Sequence, residues 1–585
     1  MSLSVTPEVV DRPTMPMTQR AVAVIIIGLL IGTFTAFIAI AFVETVLWLN
    51  DALLVSTYAK VQSGLSTWQL ALATLAVPVI GSVIVALMIA YVTPVKRPTG
   101  PPDVIQAIQL QSGMPDGKSG VVSSLAALLS LGIGASVGQY GPMVYIGALI
   151  GDQVKRLNLA IPNLSTVSIA CGVAAAIAAA FNAPIAGLIF AHEAIVRHYS
   201  MQSFAPATVA ATSGYVVANV VFDRPPLFVI QPAEIVQGGE FFLFALLGLA
   251  AAAVSILYMR TVLQTAKFAR GLSLTPVPRG LLVGLGLGLA TLWLPEIAGL
   301  GQYTLRFASL EGAFSALELG GFMLGKIMLT AFCLGFGLVG GVFSPALVIG
   351  ALMGGFFWTV LSGALPDTLS SYTIYVICGM VAVTSPVIGA PLTTILIVFE
   401  LTRSYDLAIA SMIAVVFSNL ITYRFFGRSL FDHQLLMKGV DLSQGRDLAR
   451  LSHMKVRNYI ADDAPIFTGD ASQKKVLKHL RESGWNEAYA IHPETQEFIG
   501  FLRAIDLDPA ADTAIAEKLQ DSSLNFSEET SVRQAMEKLS GFVGDGVPII
   551  HASDRSLIGV VTEGAIIQSY VDLAEDLRRE ENAGV

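Results

Sequence analysis

The sequence predicts an all-α polytopic membrane domain made of two repeated halves with broken and re-entrant helices, followed by a soluble α/β tail. Three observations carry this. The 585-residue chain is 54% hydrophobic and only 13% charged, with a mean hydropathy of +0.67, whereas a soluble globular protein carries about 25% charged residues. Long uncharged runs, such as 120–151, are interrupted by Gly and Pro. From about Arg446 charged residues become frequent and apolar ones fall into short pieces.

Residues 1–20 are polar and proline-containing and read as a cytoplasmic N-terminal segment. Arg12 and Arg20 before the first span favour that side. The run from Ala21 to Trp48 is too long for a signal-peptide core and reads as a true span. Leu70–Val92 is a second span, and Val95–Pro102 is a loop with Lys96, Arg97 and three prolines. Then come short segments at Asp103–Leu110, Val121–Ala135, Met143–Val154, Val167–Ala180 and Ile185–Val196. Several are too short to stand upright, so they predict tilted or half-crossing helices buried in protein. Further helices are expected at Phe204–Val221, Phe241–Leu263, Gly280–Leu294, Ile327–Val339, Ala346–Leu361 and Leu407–Phe425. The membrane domain thus covers 21–440, with a linker at 441–453. Two soluble units follow at 454–510 and 519–576, with strands at Phe498–Leu502 and Leu557–Val561, and then a terminal piece, 577–585. Cys171, Cys333 and Cys378 lie in apolar stretches and read as small buried residues, with neither disulfides nor a metal site expected. The net charge of −8 comes with no basic stripe of the kind nucleic acid needs.

The membrane part repeats itself. Pro142–Gly151 resembles Pro345–Gly354. Cys171-Gly172 recurs as Cys378-Gly379, Ala183-Pro184 as Ala390-Pro391 and Glu193 as Glu400, all at one offset of 207 (378 − 171, 390 − 183, 400 − 193). Duplicated halves with helices broken in matching places place a transport site at the repeat interface. Three Gly/Pro turns then read together. Ser112 in Ser-Gly-Met-Pro offers a hydroxyl donor. Gly138-Gln-Tyr-Gly-Pro142 and Gly340-Gly-Val-Phe-Ser-Pro345 each precede a helix, so the backbone N–H groups at Val342 and Phe343 can face a ligand. Tyr140 stands just before the helix expected from Met143. Helix ends supply partial charge, which holds an anion weakly enough to release it. The turns hold no Asp or Glu of the kind cation pores use.

Ser112-Gly113-Met114-Pro115, Gly138-x-x-Gly141-Pro142, Gly341-Val342-Phe343-Ser344-Pro345 and Phe181-Asn182-Ala183-Pro184-Ile185-Ala186-Gly187 resemble the signature stretches of the CLC chloride channel and proton/chloride antiporter family. The resemblance covers about residues 20–440. It implies two inverted halves and a homodimer with one chloride pathway per subunit. It also implies a multi-pass protein of a bacterial inner membrane with both termini cytoplasmic, and a transporter rather than an enzyme. Ser112, Gly341, Val342, Phe343, Tyr140 and Phe431 become the anion-binding candidates, with Tyr140 at the gate, and Ser112 favours chloride. The tail resembles a cytoplasmic CBS-domain pair. Its nucleotide-type motifs are incomplete: Gly559-Val-Val-Thr562-Glu-Gly-Ala565 lacks the acid, and Gly500-Phe-Leu-Arg503-Ala-Ile-Asp506 lacks the hydroxyl. A structural, dimer-stabilising tail is therefore preferred to an adenine-nucleotide sensor using Thr562 and Asp506. No cofactor is required.

The departures from the family carry the functional expectation. Most members have a glutamate where this chain has Tyr140. A carboxyl has a reference pKa of about 4.3 and a phenol of about 10, so Tyr140 stays neutral and its O–H can donate to chloride. The antiporters' internal proton glutamate aligns with Ala194, which carries no proton. The family's inner-gate tyrosine aligns with Phe431, and the expectation is that the Tyr140 phenol supplies the lost donor. A passive channel follows. The alternatives are an antiporter with a proton route through Glu193 or His192, and a non-conducting, CBS-regulated membrane sensor.

Overall fold

The computed structural model describes residues 17–582 apart from 158, 160, 162, 200, 225–237 and 366–368. Most of the expected N-terminal segment lies outside the described residues. The chain divides into two units, one ending at Gly439 and one spanning Val440–Ala583.

The described part of the first unit is helical. Its first half runs α1 (Met17–Ala52), α2 (Thr57–Gln62), α3 (Thr67–Leu87), α4 (Pro101–Gln109), α5 (Gly117–Gly132), α6 (Tyr140–Asp152), α7 (Leu164–Phe181), α8 (Pro184–Phe190) and α9 (Met201–Val216). The second runs α10 (Phe241–Gly271), α11 (Pro276–Trp293), α12 (Gln302–Ala308), α13 (Ala316–Gly335), α14 (Phe343–Ser362), α15 (Tyr372–Ile388), α16 (Pro391–Thr402), α17 (Tyr405–Phe425) and α18 (Leu430–Leu436). Among the described residues nine helical segments are long and apolar enough to cross a membrane, and the chain is an integral multi-pass protein. Backbone polar groups in hydrocarbon must be satisfied within the segment, which is why these runs fold as helices. Two boundaries differ from expectation. Pro101 and Pro102 open α4 rather than closing a loop, because proline suits a first helical turn. Tyr140 is the first residue of α6 rather than a residue before it.

The repeat is visible in the contacts. Gly138 N donates to Gly341 O (2.7 Å) and Gly341 N to Gly138 O (2.6 Å), an antiparallel bridge from which α6 and α14 both start. A Cβ on Gly172 of α7 would lie 1.9 Å from Gly147 O of α6, and one on Gly379 of α15 would lie 2.6 Å from Gly350 O of α14. Only glycine allows these crossings, and they match between halves. Glu193, in the turn ending α8, accepts from Leu392 N (2.9 Å), Thr393 N (2.8 Å) and Thr393 Oγ1 (2.8 Å) at the start of α16. Glu400, in α16, accepts from Ile185 N (2.9 Å) and Ala186 N (2.7 Å) at the start of α8. Each half thus caps a helix of the other, with negative charge on the positive helix end.

The second unit holds two three-stranded sheets of the same design. Strands β1 (Ile466–Thr468), β2 (Glu487–Ile491) and β3 (Phe498–Arg503) form one, and β4 (Phe526–Ser527), β5 (Val547–Ile550) and β6 (Leu557–Val561) the other. In each the first pair is parallel and the second antiparallel. Four more helices complete the unit: α19 (Arg446–His453), α20 (Gln473–Ser483), α21 (Val532–Leu539) and α22 (Glu563–Asn582). The parallel pairs are bridged by α20 and α21, as parallel pairing requires a crossover. Sequence boundaries shift here. The stretch expected as a linker contains α19, whose Leu451 enters the core with Phe526, Val532 and Ile549. Val456 N donates to Thr530 O (3.0 Å) and Ala461 N to Val560 O (2.8 Å), so the opening of the first soluble unit belongs to the second sheet. Ile515 and Leu519 pack with the first core in return.

Gly172→Leu should abolish the yield of monodisperse protein, because its side chain meets the α6 backbone, whereas Gly321→Ala, with open space around its Cβ, should express normally. Glu487 is buried at the start of β2. Desolvation pushes its carboxyl above the usual range, and the Asp545 carboxylate adds to this against Arg503. A raised value means stability present in acid and lost as pH rises through it. Glu487→Gln should slow hydrogen exchange in β2 of the full-length protein at pH 7.5, with the gain shrinking toward pH 4.5.

Candidate anion pathway

The helix starts open onto one cavity of about 580 Å³. Buried Tyr140, Val342, Phe343 and Phe431 line its deep part, beside Thr99 at the start of α4. Charged residues line its more exposed part: Arg97, Arg270 and Lys438, with Asp103 accepting at 2.8 Å from both Arg97 Nη2 and Lys438 Nζ.

Each deep residue is positioned by local structure. Gly100 N donates to Asp103 Oδ2 (2.9 Å) and Thr99 N to Ser123 Oγ (3.1 Å), which sets the α4 turn facing the cavity. Phe431 sits in the first turn of α18, capped by Ser429 with Asp432. The Arg197 guanidinium anchors that turn through Asp432 (2.5 Å). Tyr258 Oη donates to Val342 O (3.2 Å) behind the α14 start. Tyr140 stacks on Phe181 with ring centroids 4.1 Å apart and planes at 25°, and meets Phe343 edge-on at 5.3 Å. Phe181–Phe343 (5.2 Å) and Phe190–Phe343 (6.4 Å) complete an aromatic cluster drawn from α6, α7, α8 and α14. Tyr140, Phe190 and Phe343 of this cluster line the cavity, and Phe181 backs the Tyr140 ring.

Five of the six expected site residues therefore converge: Tyr140, Gly341, Val342, Phe343 and Phe431. Gly341 does so without a free donor, since its N–H is given to Gly138 O. Ser112 is corrected. It lies exposed in the loop after α4 and is not part of the cavity lining. The turn facing the cavity is Thr99-Gly100-Pro101-Pro102, thirteen residues earlier (112 − 99). A glycine followed by two prolines before an amphipathic helix was its signal, hidden because the stretch read as a proline-rich loop.

The candidate proton carriers lie away from this lining. His192 is buried, with Nδ1 3.0 Å from Leu188 O and Nε2 3.1 Å from Ser203 Oγ. Both Glu193 oxygens serve the α16 cap. In the tail, Thr562 Oγ1 accepts from Ala565 N (3.1 Å) as a helix cap, and Asp506 Oδ2 accepts from Gln520 Nε2 (2.9 Å).

Two inverted halves with helix starts meeting at a central cavity define a membrane transport protein whose pathway runs between its repeats. The family model described as "Voltage gated chloride channel" matches residues 81–423, more than half of the chain. The chain belongs to that family. It is 27% identical to the voltage-gated ClC-type chloride channel ClcB of Escherichia coli O81, over 68% of this chain and 95% of that protein. It is 24% identical to the H(+)/Cl(−) exchange transporter ClcA of Citrobacter koseri, over 72% of this chain and 89% of that protein. A solved eukaryotic CLC transporter shares the fold at a TM-score of 0.63 and 19% identity, over 94% of this chain and 98% of that one. The relatives thus include both channels and exchangers.

Phe181→Leu removes the stacked face that holds Tyr140. Stacked aromatic pairs are worth about 0.5–1.5 kcal/mol beyond burial, so halide flux in reconstituted vesicles should rise several-fold. Unchanged flux would show that the stack does not restrain the ring.

Proposed function

We propose that the protein is a passive chloride channel, uncoupled from protons and gated at Tyr140. The observation that carries this is Tyr140 itself, a phenol lining the cavity at the position where the family resemblance implies a titrating carboxylate. The phenol offers a donor to an anion, and Phe431, facing the same cavity, offers none. Ala194 cannot carry a proton, and Glu193 has both oxygens committed to the α16 cap, which suits a structural staple better than a relay. The cations at the exposed part of the cavity favour anions by raising their local concentration. Thr99, rather than Ser112, is the hydroxyl residue of the α4 turn.

The protein works as a homodimer with one pathway per subunit in a bacterial inner membrane, with both termini cytoplasmic. The tail is a CBS pair with a structural role. Thr562 and Asp506 are engaged in local bonds that serve its fold, which fits a module without an adenine nucleotide.

Reversal potentials under crossed chloride and pH gradients test the channel reading. The potential should follow chloride alone, and a shift with the proton gradient would establish exchange instead. The Tyr140 gate itself should add no pH dependence to flux between about pH 5 and pH 8, since a phenol does not titrate there, so Tyr140→Phe should leave the pH profile of flux unchanged. Tyr140→Phe keeps the ring and removes the donor, so apparent chloride affinity should fall several-fold; equal affinity would remove the donor role.

A further inference from the structure

Lys326, midway along α13, is fully buried. It pairs with no carboxylate among the described residues. Its Nζ donates to three backbone carbonyls instead, those of Ile297 (3.0 Å), Ala298 (3.4 Å) and Gly299 (2.8 Å). Three acceptors match the three donors of an ammonium group. A desolvated charge without a counter-ion is unfavourable, and a methionine of similar length would fill the same space. The position of the charge supplies a reason for it.

The loop that holds Lys326 is fastened to the centre of the membrane domain. Ile297 O also accepts from Ser136 Oγ (3.1 Å), and Ser136 Oγ lies 3.0 Å from Thr330 Oγ1, one turn along α13. Gly299 N donates to Gly134 O (2.8 Å). Residues 134–136 lead directly into the Gly138–Pro142 turn. On the other side, a Cβ on Gly301 would meet Val348 at 2.8 Å and Lys326 Nζ at 3.3 Å, so the ammonium lies close to Val348 of α14. At a rise of 1.5 Å per residue, Val348 is about 7.5 Å beyond the start of α14, which puts the charge about 10 Å from the meeting point of the two helices. The deep lining of the cavity carries no cation of its own, since Arg97, Arg270 and Lys438 lie at its charged part.

We propose that Lys326 is a specificity-determining charge for the anion. It holds the ion at the meeting point of α6 and α14 through its field, without touching it. A unit charge at about 10 Å, in an effective dielectric of about 20, raises anion occupancy roughly tenfold. That is enough to favour anions and too little to trap them. A ligand lysine in direct contact would bind far more tightly and slow release. The proposal rests on reading the cavity as an anion pathway.

The test uses the full-length protein in detergent, with halide binding measured by calorimetry using bromide and, separately, flux in vesicles. Lys326→Gln keeps N–H donors for the loop and removes the charge, and Lys326→Met is the second neutral variant. Lys326→Arg keeps the charge. We expect the bromide dissociation constant to rise about tenfold in the neutral variants and to stay within about twofold of wild type in Lys326→Arg, in line with the same Coulomb estimate. Wild-type affinity in Lys326→Gln overturns the proposal. So does an equal loss in Lys326→Arg, or failure of both neutral variants to fold, since either makes the lysine a loop anchor only. A wild-type protein that binds bromide but shows proton-coupled flux, or none, would defeat the channel reading and leave this result standing.

Discussion

The pair of backbone hydrogen bonds between Gly138 and Gly341 is the constraint on which the rest of the membrane domain depends. It joins the two halves at equivalent turns and brings two helix starts to one place. A helix start carries about half a positive charge and unpaired N–H groups. Two of them meeting make an electropositive centre from neutral residues. Side chains larger than hydrogen at the bridge would push the turns apart, for a Cβ on Gly138 or Gly141 would already lie 3.0 Å from the opposite turn.

The same economy of formal charge runs through the pathway. Fixed cations sit where the cavity is most exposed, and one of them, Lys438, shares Asp103 with Arg97. Deeper in, the lining turns aromatic and hydroxyl-bearing. The stack of Tyr140 on Phe181 lies at that end. A gate at Tyr140, as proposed, responds to whatever moves the rings. A carboxylate gate, in contrast, responds to protons.

Much of this was legible in the sequence, because duplication leaves fixed offsets and helix starts in membranes are marked by Gly and Pro. The offset of 207 identified Glu193 and Glu400 as partners in role, and the structure gives them mirrored capping bonds. Ser112 went wrong for a physical reason. A Ser-Gly-x-Pro string marks a tight turn wherever it occurs, and turn chemistry does not reveal which turn faces inward. Thr99 faces the cavity because α4 follows it and Ser123 of α5 fixes its backbone, neither of which is local in sequence. Lys326 stands just before the helix expected at Ile327–Val339, and its three carbonyl partners, almost thirty residues away, are not local in sequence. In the tail, strand and helix periods were readable, but the exchange of segments between the two sheets is a long-range pairing that no local pattern encodes.

The reciprocal caps carry a consequence for biogenesis. Ile185 N and Ala186 N receive their acceptor from Glu400, which the ribosome adds more than two hundred residues later. Until then the start of α8 sits in or near the bilayer with its amides unmatched, and Glu193 is a carboxylate with no helix to serve. The first half therefore lacks these two capping bonds until α16 has been made. The last helices of the membrane domain act as a delayed latch, so quality control that senses unsatisfied polar groups in the membrane would hold the chain until synthesis has passed α16.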